Sequence, residues 1–240
     1  MTSPSVAAPR VLLSWSGGKD AAWALHRLRQ GGGVDVAGLM TTLDGRTERV
    51  AMHGVPRALV AAQADSVGLP LLPVRLPSWP CPNAEYEAAT AGALTHARAA
   101  WGVTHAAFGD LFLEDVRAYR ERQLAGTGLA PLFPLWGLPT AALAREMVAG
   151  GLRARLTSVD PRALPPEWAG RAFDAALLDA LPPGADPCGE RGEFHTFVWD
   201  GPMFRRPVPI AAAAPSARGG FVFAELSLEG EGDTTDADPT

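Results

Sequence analysis

The sequence predicts an α/β fold: a Rossmann-like α/β/α sandwich with a parallel sheet, followed by a smaller C-terminal α+β region. Three observations predict it. Apolar strand-like runs alternate with helical periodicity through the first half of the chain, the pattern of a parallel sheet covered on both faces. The first of those runs ends in paired glycines that open directly into a helix. After about Ala125 the rhythm breaks into Gly- and Pro-rich turns and shorter segments, so residues 10–125 are read as one domain and 126–228 as a smaller region packed on it. Residues 1–9 and the acidic stretch 229–240 are expected to be disordered tails.

In order along the chain, Val11–Trp15 is a short apolar strand. The helix that follows from Asp20 places Ala21, Ala24, Leu25 and Leu28 at i, i+3, i+4 and i+7, and Gly31-Gly32-Gly33 stops it. Val36–Thr42 is a second strand, and Val55–Val67 a second helix closed by Gly68. Pro70–Val74 is a third strand. A long helix over Ala84–Trp101 carries Tyr86, Thr90, Ala93, Leu94, Ala97 and Trp101 along one stripe, which is read as core. His105–Gly109 is a fourth strand, and Thr140–Ala149 a helix within the second region.

Composition narrows the function classes. The 240 residues are 47% hydrophobic and 20% charged, as in an ordinary globular protein, and can bury a substantial core. No apolar run approaches the roughly 20 residues of a membrane helix, and no export signal is visible, so no membrane partner is expected and the default location is cytoplasmic. Cys81 and Cys188 are too few and too far apart for a disulfide framework or a zinc site. A net charge of −5 argues against a general nucleic-acid binder. Lys19 is the only lysine in the chain. It stands in the one loop where a compact ammonium is hard to replace by the planar fork of arginine.

That loop is Ser14-Trp15-Ser16-Gly17-Gly18-Lys19-Asp20. Glycines let backbone N–H groups approach an anion without a Cβ in the way, and a helix start adds unpaired donors and partial positive charge. Lys19 adds a full charge, and Ser14 and Ser16 can donate hydroxyl bonds. Leu13 and Asp20 stand where a Walker A loop needs glycine and Ser or Thr, so this is a different phosphate loop. Ser16–Asp20 resembles the PP-loop of the adenine nucleotide α-hydrolase superfamily, with Ala21 where that motif usually has Ser.

The resemblance narrows further along. Arg49–Val55, Phe108–Leu111, Pro131–Gly137 and Asp186–Phe197 are similar to the diphthine–ammonia ligase family, closest to its short bacterial branch, and the likeness runs from about Val11 to Ile210. It implies a PP-loop type fold and an ATP-dependent ligase. A carboxylate attacks the α-phosphate of ATP, pyrophosphate leaves, and ammonia displaces AMP from the acyl-adenylate. ATP is then a substrate with Mg²⁺ expected, and the partners are ammonia and a carboxylate acceptor, with no nucleic acid. In eukaryotes and archaea that carboxylate belongs to diphthine; in bacteria the acceptor would differ.

Candidate roles follow residue by residue. Ser14, Ser16, Gly17, Gly18, Lys19 and Asp20 are the candidate ATP site, and Lys19 is also a candidate catalytic residue. Met40 and Thr41, ending the second strand, are either adenine-pocket walls or ordinary strand packing. His53, before Gly54, reaches phosphate or caps a turn. Asp110 lies past a strand end, where open α/β sheets bind ligands, and is a candidate for Mg²⁺ contact or ammonia positioning; Asp20 is the other Mg²⁺ candidate. Asp110, Glu114, Arg117 and Glu121 recur at i, i+4, i+7 and i+11, which makes Glu114 and Arg117 substrate-side candidates and leaves Glu121 as a solvated pair. A strand's period of two puts Glu193 and His195 on one face, as acid/base groups or as a polar sheet face. Cys188 reads as a structural thiol. The competing functions are a nucleotide-binding sensor that does not turn ATP over, and tRNA thiolation, which would call for paired cysteines and a basic surface.

Overall fold

Strand β1 (Arg10–Ser14) is central and buried on both faces: Val11, Leu13 and the following Trp15 enter one apolar cluster, and Leu12 enters a second. The computed structural model describes residues 8–230. The expected tails fall outside the described residues, apart from Ala8, Pro9, Glu229 and Gly230. Helix α1 (Lys19–Gly31) starts on Gly18 and ends at Gly32 in the left-handed conformation, φ 64°. Strand β2 (Asp35–Asp44) pairs parallel with β1 and with β4 (Leu71–Leu76), and near its end antiparallel with the two-residue β3 (Arg49–Val50). Helix α2 (Arg57–Val67) lies between β3 and β4 in the chain and is capped by Gly68.

Helix α3 (Asn83–Trp101) leads to β5 (His105–Ala107), which pairs parallel with the other edge of β1. Helix α4 (Glu114–Leu124) then leads to β6 (Ala130–Leu132), parallel to β5. The parallel strands therefore run β4-β2-β1-β5-β6 across the sheet, with β3 beyond the end of β1. Strand order reverses between β1 and β5, the switch point at which open α/β sheets leave a crevice for ligands. Ala130–Leu132, assigned by sequence to the smaller region, is hydrogen-bonded into this first sheet.

Helix α5 (Thr140–Ala149) precedes an antiparallel sheet of order β8-β7-β10-β9, built from β7 (Arg153–Val159), β8 (Phe194–Asp200), β9 (Ile210–Arg218) and β10 (Phe221–Leu228). A short helix α6 (Ala175–Ala180) lies between β7 and β8, its start capped by Asp174. Two buried clusters divide the packing. One joins β1, α1 and α2 to Leu156, Phe194 and Phe197 of the antiparallel sheet in a single apolar mass. The other lies under α3 around Leu12, Met40, Leu94, Ala97 and Phe108. Each fully buried Leu or Phe contributes about 2–3 kcal/mol. No helix among the described residues is long and apolar enough to cross a membrane.

Candidate active site

The first sheet's switch point opens into a cleft of about 590 Å³, lined by the end of β1, the phosphate loop, β2, the turn after β3, α3, α4 and the segment that enters β8. Gly17 makes the loop possible. It takes φ 80°, and a Cβ there would sit 2.8 Å from Gln63 Oε1. Gln63 is fully buried and ties the loop down: its amide donates to the Gly17 carbonyl at 3.0 Å and the Val198 carbonyl at 2.5 Å, and its oxygen accepts from Trp15 Nε1 at 2.9 Å. Strand β8 closes the loop from the second sheet, Val198 N–H donating to the Gly17 carbonyl at 2.9 Å and Lys19 N–H to Thr196 Oγ1 at 3.0 Å. The phosphate loop is therefore held between both sheets.

Lys19 is only 2% exposed. Its ammonium donates to Asp20 Oδ2 at 2.8 Å and to the Cys188 carbonyl, and lies 5.5 Å and 5.8 Å from the ring centres of Phe194 and Phe173. Burial opposes its charge, but Asp20, Cys188 and Glu190 outweigh it and hold the ammonium above the ordinary lysine range. The charge expected on phosphate is thus already engaged internally, with one ammonium hydrogen left over. Asp20 Oδ1 is buried with no hydrogen-bond partner, and so is Asp110 Oδ2. Asp110 follows Gly109, where a Cβ would meet the Asp20 carbonyl carbon at 2.9 Å, so the end of β5 touches the first turn of α1. Burial, with Asp20 adding, raises the Asp110 carboxyl above the usual range although Arg120 pulls it down.

Other sequence-derived candidates divide. Ser14, Ser16, Lys19, Asp20, Met40, His53, Asp110 and His195 all line the cleft. Gly17 and Gly18 shape the loop from behind its lining, and Ser16 Oγ accepts from Gly18 N–H at 3.3 Å. Thr41 does not line it. Side chains alternate along β2, so Met40 and Thr42 face the cleft and the Thr41 hydroxyl is buried without a partner. Glu193 also lies outside. It precedes β8, and its carboxylate folds back on its own loop, accepting from Asp186 N–H at 2.8 Å and Arg191 N–H at 3.0 Å. Glu114 and Arg117 are not in the lining either. Helix α4 begins at Glu114, so Asp110 is off the helix and cannot set its face. Arg117 stacks on Phe133 and Trp136, at 5.0 Å and 4.8 Å from their ring centres, and pairs with Glu121 at 2.9 Å.

The residues that do occupy those places were not singled out by sequence. Glu190 lines the cleft and accepts from Leu111 N–H at 2.9 Å; burial, with Asp20 and Asp110 adding, pushes its carboxyl up to about 7. From α4 the cleft receives Asp115, Val116, Tyr119 and Arg120. Arg120 Nε is buried without a hydrogen-bond partner, 3.7 Å from Asp110 Oδ2, and its guanidinium lies over Phe108. Tyr86, read as core, is half-buried on the cleft wall, its hydroxyl accepting from Arg120 at 3.3 Å. His53 and His195 meet with ring centres 4.6 Å apart. Met52, at φ 65° and 54% exposed, marks the rim. Cys188 is buried, its thiol pushed up to about 12 by that burial.

Comparison with known proteins adds identity to this geometry. A family model described as the diphthamide synthase N-terminal domain matches residues 9–130, and one described as the diphthamide synthase C-terminal domain matches residues 139–221. The chain is 31% identical over 140 residues to a diphthine–ammonia ligase of Danio rerio, a stretch covering 56% of this chain and 55% of that protein. It is 27% identical over 107 residues to the diphthine–ammonia ligase of Mus musculus, covering 41% and 39%. The matches thus span about half the length of these relatives, or less.

Proposed function

The chain belongs to the diphthamide synthase family, and on that premise we propose that it is an ATP-dependent carbon–nitrogen ligase that cleaves ATP to AMP and pyrophosphate, adenylates a carboxylate and passes the acyl group to ammonia. The observation that carries this reading is a glycine loop between β1 and α1, at the switch point of the parallel sheet, with polar groups left unpartnered in the cleft beside it. The β- and γ-phosphates take Ser14, Ser16 and the N–H groups of the helix start beyond Lys19, whose own N–H, like that of Gly18, already has a partner. The α-phosphate then faces the wall of Asp110, Arg120 and Glu190.

Among the described residues no group of three or more His, Cys, Asp or Glu side chains is arranged to hold a metal alone. Mg²⁺ on a nucleotide needs only one or two carboxylates, and the unpartnered oxygens of Asp20 and Asp110 supply them. Bound there, Mg²⁺ would neutralise phosphate charge. Arg120, with a free buried Nε, orients the acceptor carboxylate toward phosphorus. Glu190 titrates near neutrality, so it can accept the proton that ammonium must lose before its nitrogen attacks the adenylate. The test is incubation with ATP, ammonium and a panel of carboxylates while AMP and pyrophosphate are followed. Release of ADP and phosphate instead defeats the assignment to the α-phosphate.

A further inference from the structure

His53 and His195 come from different sheets and meet at one point. His53 is presented by the turn after β3, where its N–H donates to the Ala51 carbonyl at 2.8 Å. His195 is the second residue of β8. Gly18, the cap of α1, fixes where the pair stands: a Cβ there would lie 3.0 Å from His53 Cε1 and 3.2 Å from the Thr196 carbonyl oxygen. His53 therefore stands beside the cap of α1 with His195 against it, at the end of the helix to which an anion is drawn.

Their tautomers and charges follow from their neighbours. His53 Nδ1 lies 3.3 Å from the Thr196 carbonyl oxygen, which can only accept, so Nδ1 carries the hydrogen and Nε2 the lone pair. A lone pair facing phosphate oxygens repels them until it is protonated, after which it donates a charge-assisted hydrogen bond. Lys19 of α1 is the charge that acts on both rings, and His53 also acts on His195. Behind the turn, Arg49 donates to the Gly54 carbonyl at 2.6 Å and pairs with Glu225 of β10 at 3.0 Å, and Arg218 of β9 pairs with the same Glu225. Burial, with Lys19 adding, pushes His53 down to about 4; burial, with His53 and Lys19 adding, takes His195 well below its ordinary value. Both rings are thus neutral until negative charge arrives.

We propose that the His53–His195 pair takes up one proton from solvent when the phosphates of a nucleoside triphosphate enter the loop, and that the resulting imidazolium donates to the pyrophosphate portion. The inference rests on the ATP reading of the loop and adds a proton to it. The proton adds to a ring nitrogen lone pair, and no bond in the nucleotide changes. Uptake stops at one, because a charge on one ring disfavours a charge on its neighbour 4.6 Å away.

The experiment is calorimetric titration of the full chain with α,β-methylene ATP and Mg²⁺ at about pH 7.5, above the ordinary imidazole value, in buffers of different ionisation enthalpy. The dependence of heat on buffer counts the protons bound, and the nucleotide's own ionisation is common to every protein compared. The wild-type chain is expected to take up about one proton more than the double variant His53→Gln/His195→Gln. Equal proton numbers in the two, with nucleotide bound, overturn the inference and leave the ATP reading standing. No binding by the wild-type chain overturns both. A second measurement needs no variant: imidazole resonances of the wild-type chain should move to imidazolium positions on adding the analogue, and resonances that stay neutral overturn the inference.

Discussion

At the scale of single residues, the most consequential side chain is Lys19, because it both pairs with Asp20 and faces the cleft. Lys19→Met keeps the aliphatic stem between Phe173 and Phe194 but strips Asp20 of its partner. It should weaken ATP binding about 100-fold, equivalent to about 3 kcal/mol, and lower the unfolding temperature as well; unchanged affinity by calorimetry removes Lys19 from the site. The carboxylates separate by role. Glu193→Gln disturbs two backbone bonds and should cost about 1–2 kcal/mol of stability with turnover per folded molecule retained. Glu190→Gln removes a carboxylate whose charge burial disfavours, so it should hold or raise the unfolding temperature at neutral pH and abolish AMP release, and the reverse pattern would exchange their roles. The histidines carry a pH signature of definite sign. Their folded-state values are depressed, so the unfolded chain binds more protons, and stability drops as pH falls from 6.5 toward about 4 for His53. Glu190, raised from 4.5 to about 7, works the other way over pH 7 to 4.5. The difference in urea midpoint between wild type and His53→Gln across this range isolates the histidine part, and a flat difference contradicts it. Sequence made Lys19, His53 and His195 legible as residues of the cleft because glycine turns and motif context flag them. It missed Glu190 and Arg120 because choosing among neighbouring acids or arginines needs to know where β8 and α4 begin. With β8 starting at Phe194 and α4 at Glu114, the counts from Glu193 and Asp110 lose their meaning.

At the scale of elements, the phosphate loop depends on α2 and β8 as much as on β1. Gly17→Ala places a Cβ 2.8 Å from Gln63 Oε1 at φ 80°, and should cost about 2 kcal/mol or more. Gln63→Leu leaves Trp15 Nε1 without a partner and removes a donor from the Gly17 and Val198 carbonyls, the first of which keeps the Val198 N–H, and should cost about 3 kcal/mol while loosening nucleotide binding. Denaturant unfolding with parallel ATP titration checks both, and a Gln63→Leu protein of wild-type stability would show that β8 is held without the Gln63 amide. Helices were the legible elements: Gly32, Gly68 and Gly102 end α1, α2 and α3 in left-handed conformations, and α5 occupies its expected range of Thr140–Ala149. The two-residue β3 carries too little pattern to be read. The last two strands were expected only as short pieces between Pro-rich turns. They form one hairpin of nine and eight residues around Gly219-Gly220, both at positive φ, with Pro215 tolerated because β9 is an edge strand.

At the scale of the whole molecule, one apolar cluster runs from the parallel sheet into the antiparallel one, so the two should unfold together. Nucleotide bound at their junction should stabilise both. At 100 times its dissociation constant, ATP with Mg²⁺ should add about 2.7 kcal/mol and raise the unfolding temperature by roughly 5–10 °C in a single transition; two transitions, only one of them shifted, would place the nucleotide within one sheet. The parallel half was legible because its strands alternate with helices, a pattern that local periodicity records. The closure of the loop by β8 was not, since Lys19 and Thr196 lie 177 residues apart and no local pattern records their pairing.

That separation also has a consequence in time. A ribosome adds about 5–20 residues per second, so roughly 10–35 s pass between the synthesis of Lys19 and that of Thr196, the residue that receives its N–H. Through that interval the nascent chain holds every glycine of the loop and lacks the strand that shapes it. On the ATP reading of the loop, nucleotide capture should therefore be a late event in the life of each molecule, complete only once β8 is in place.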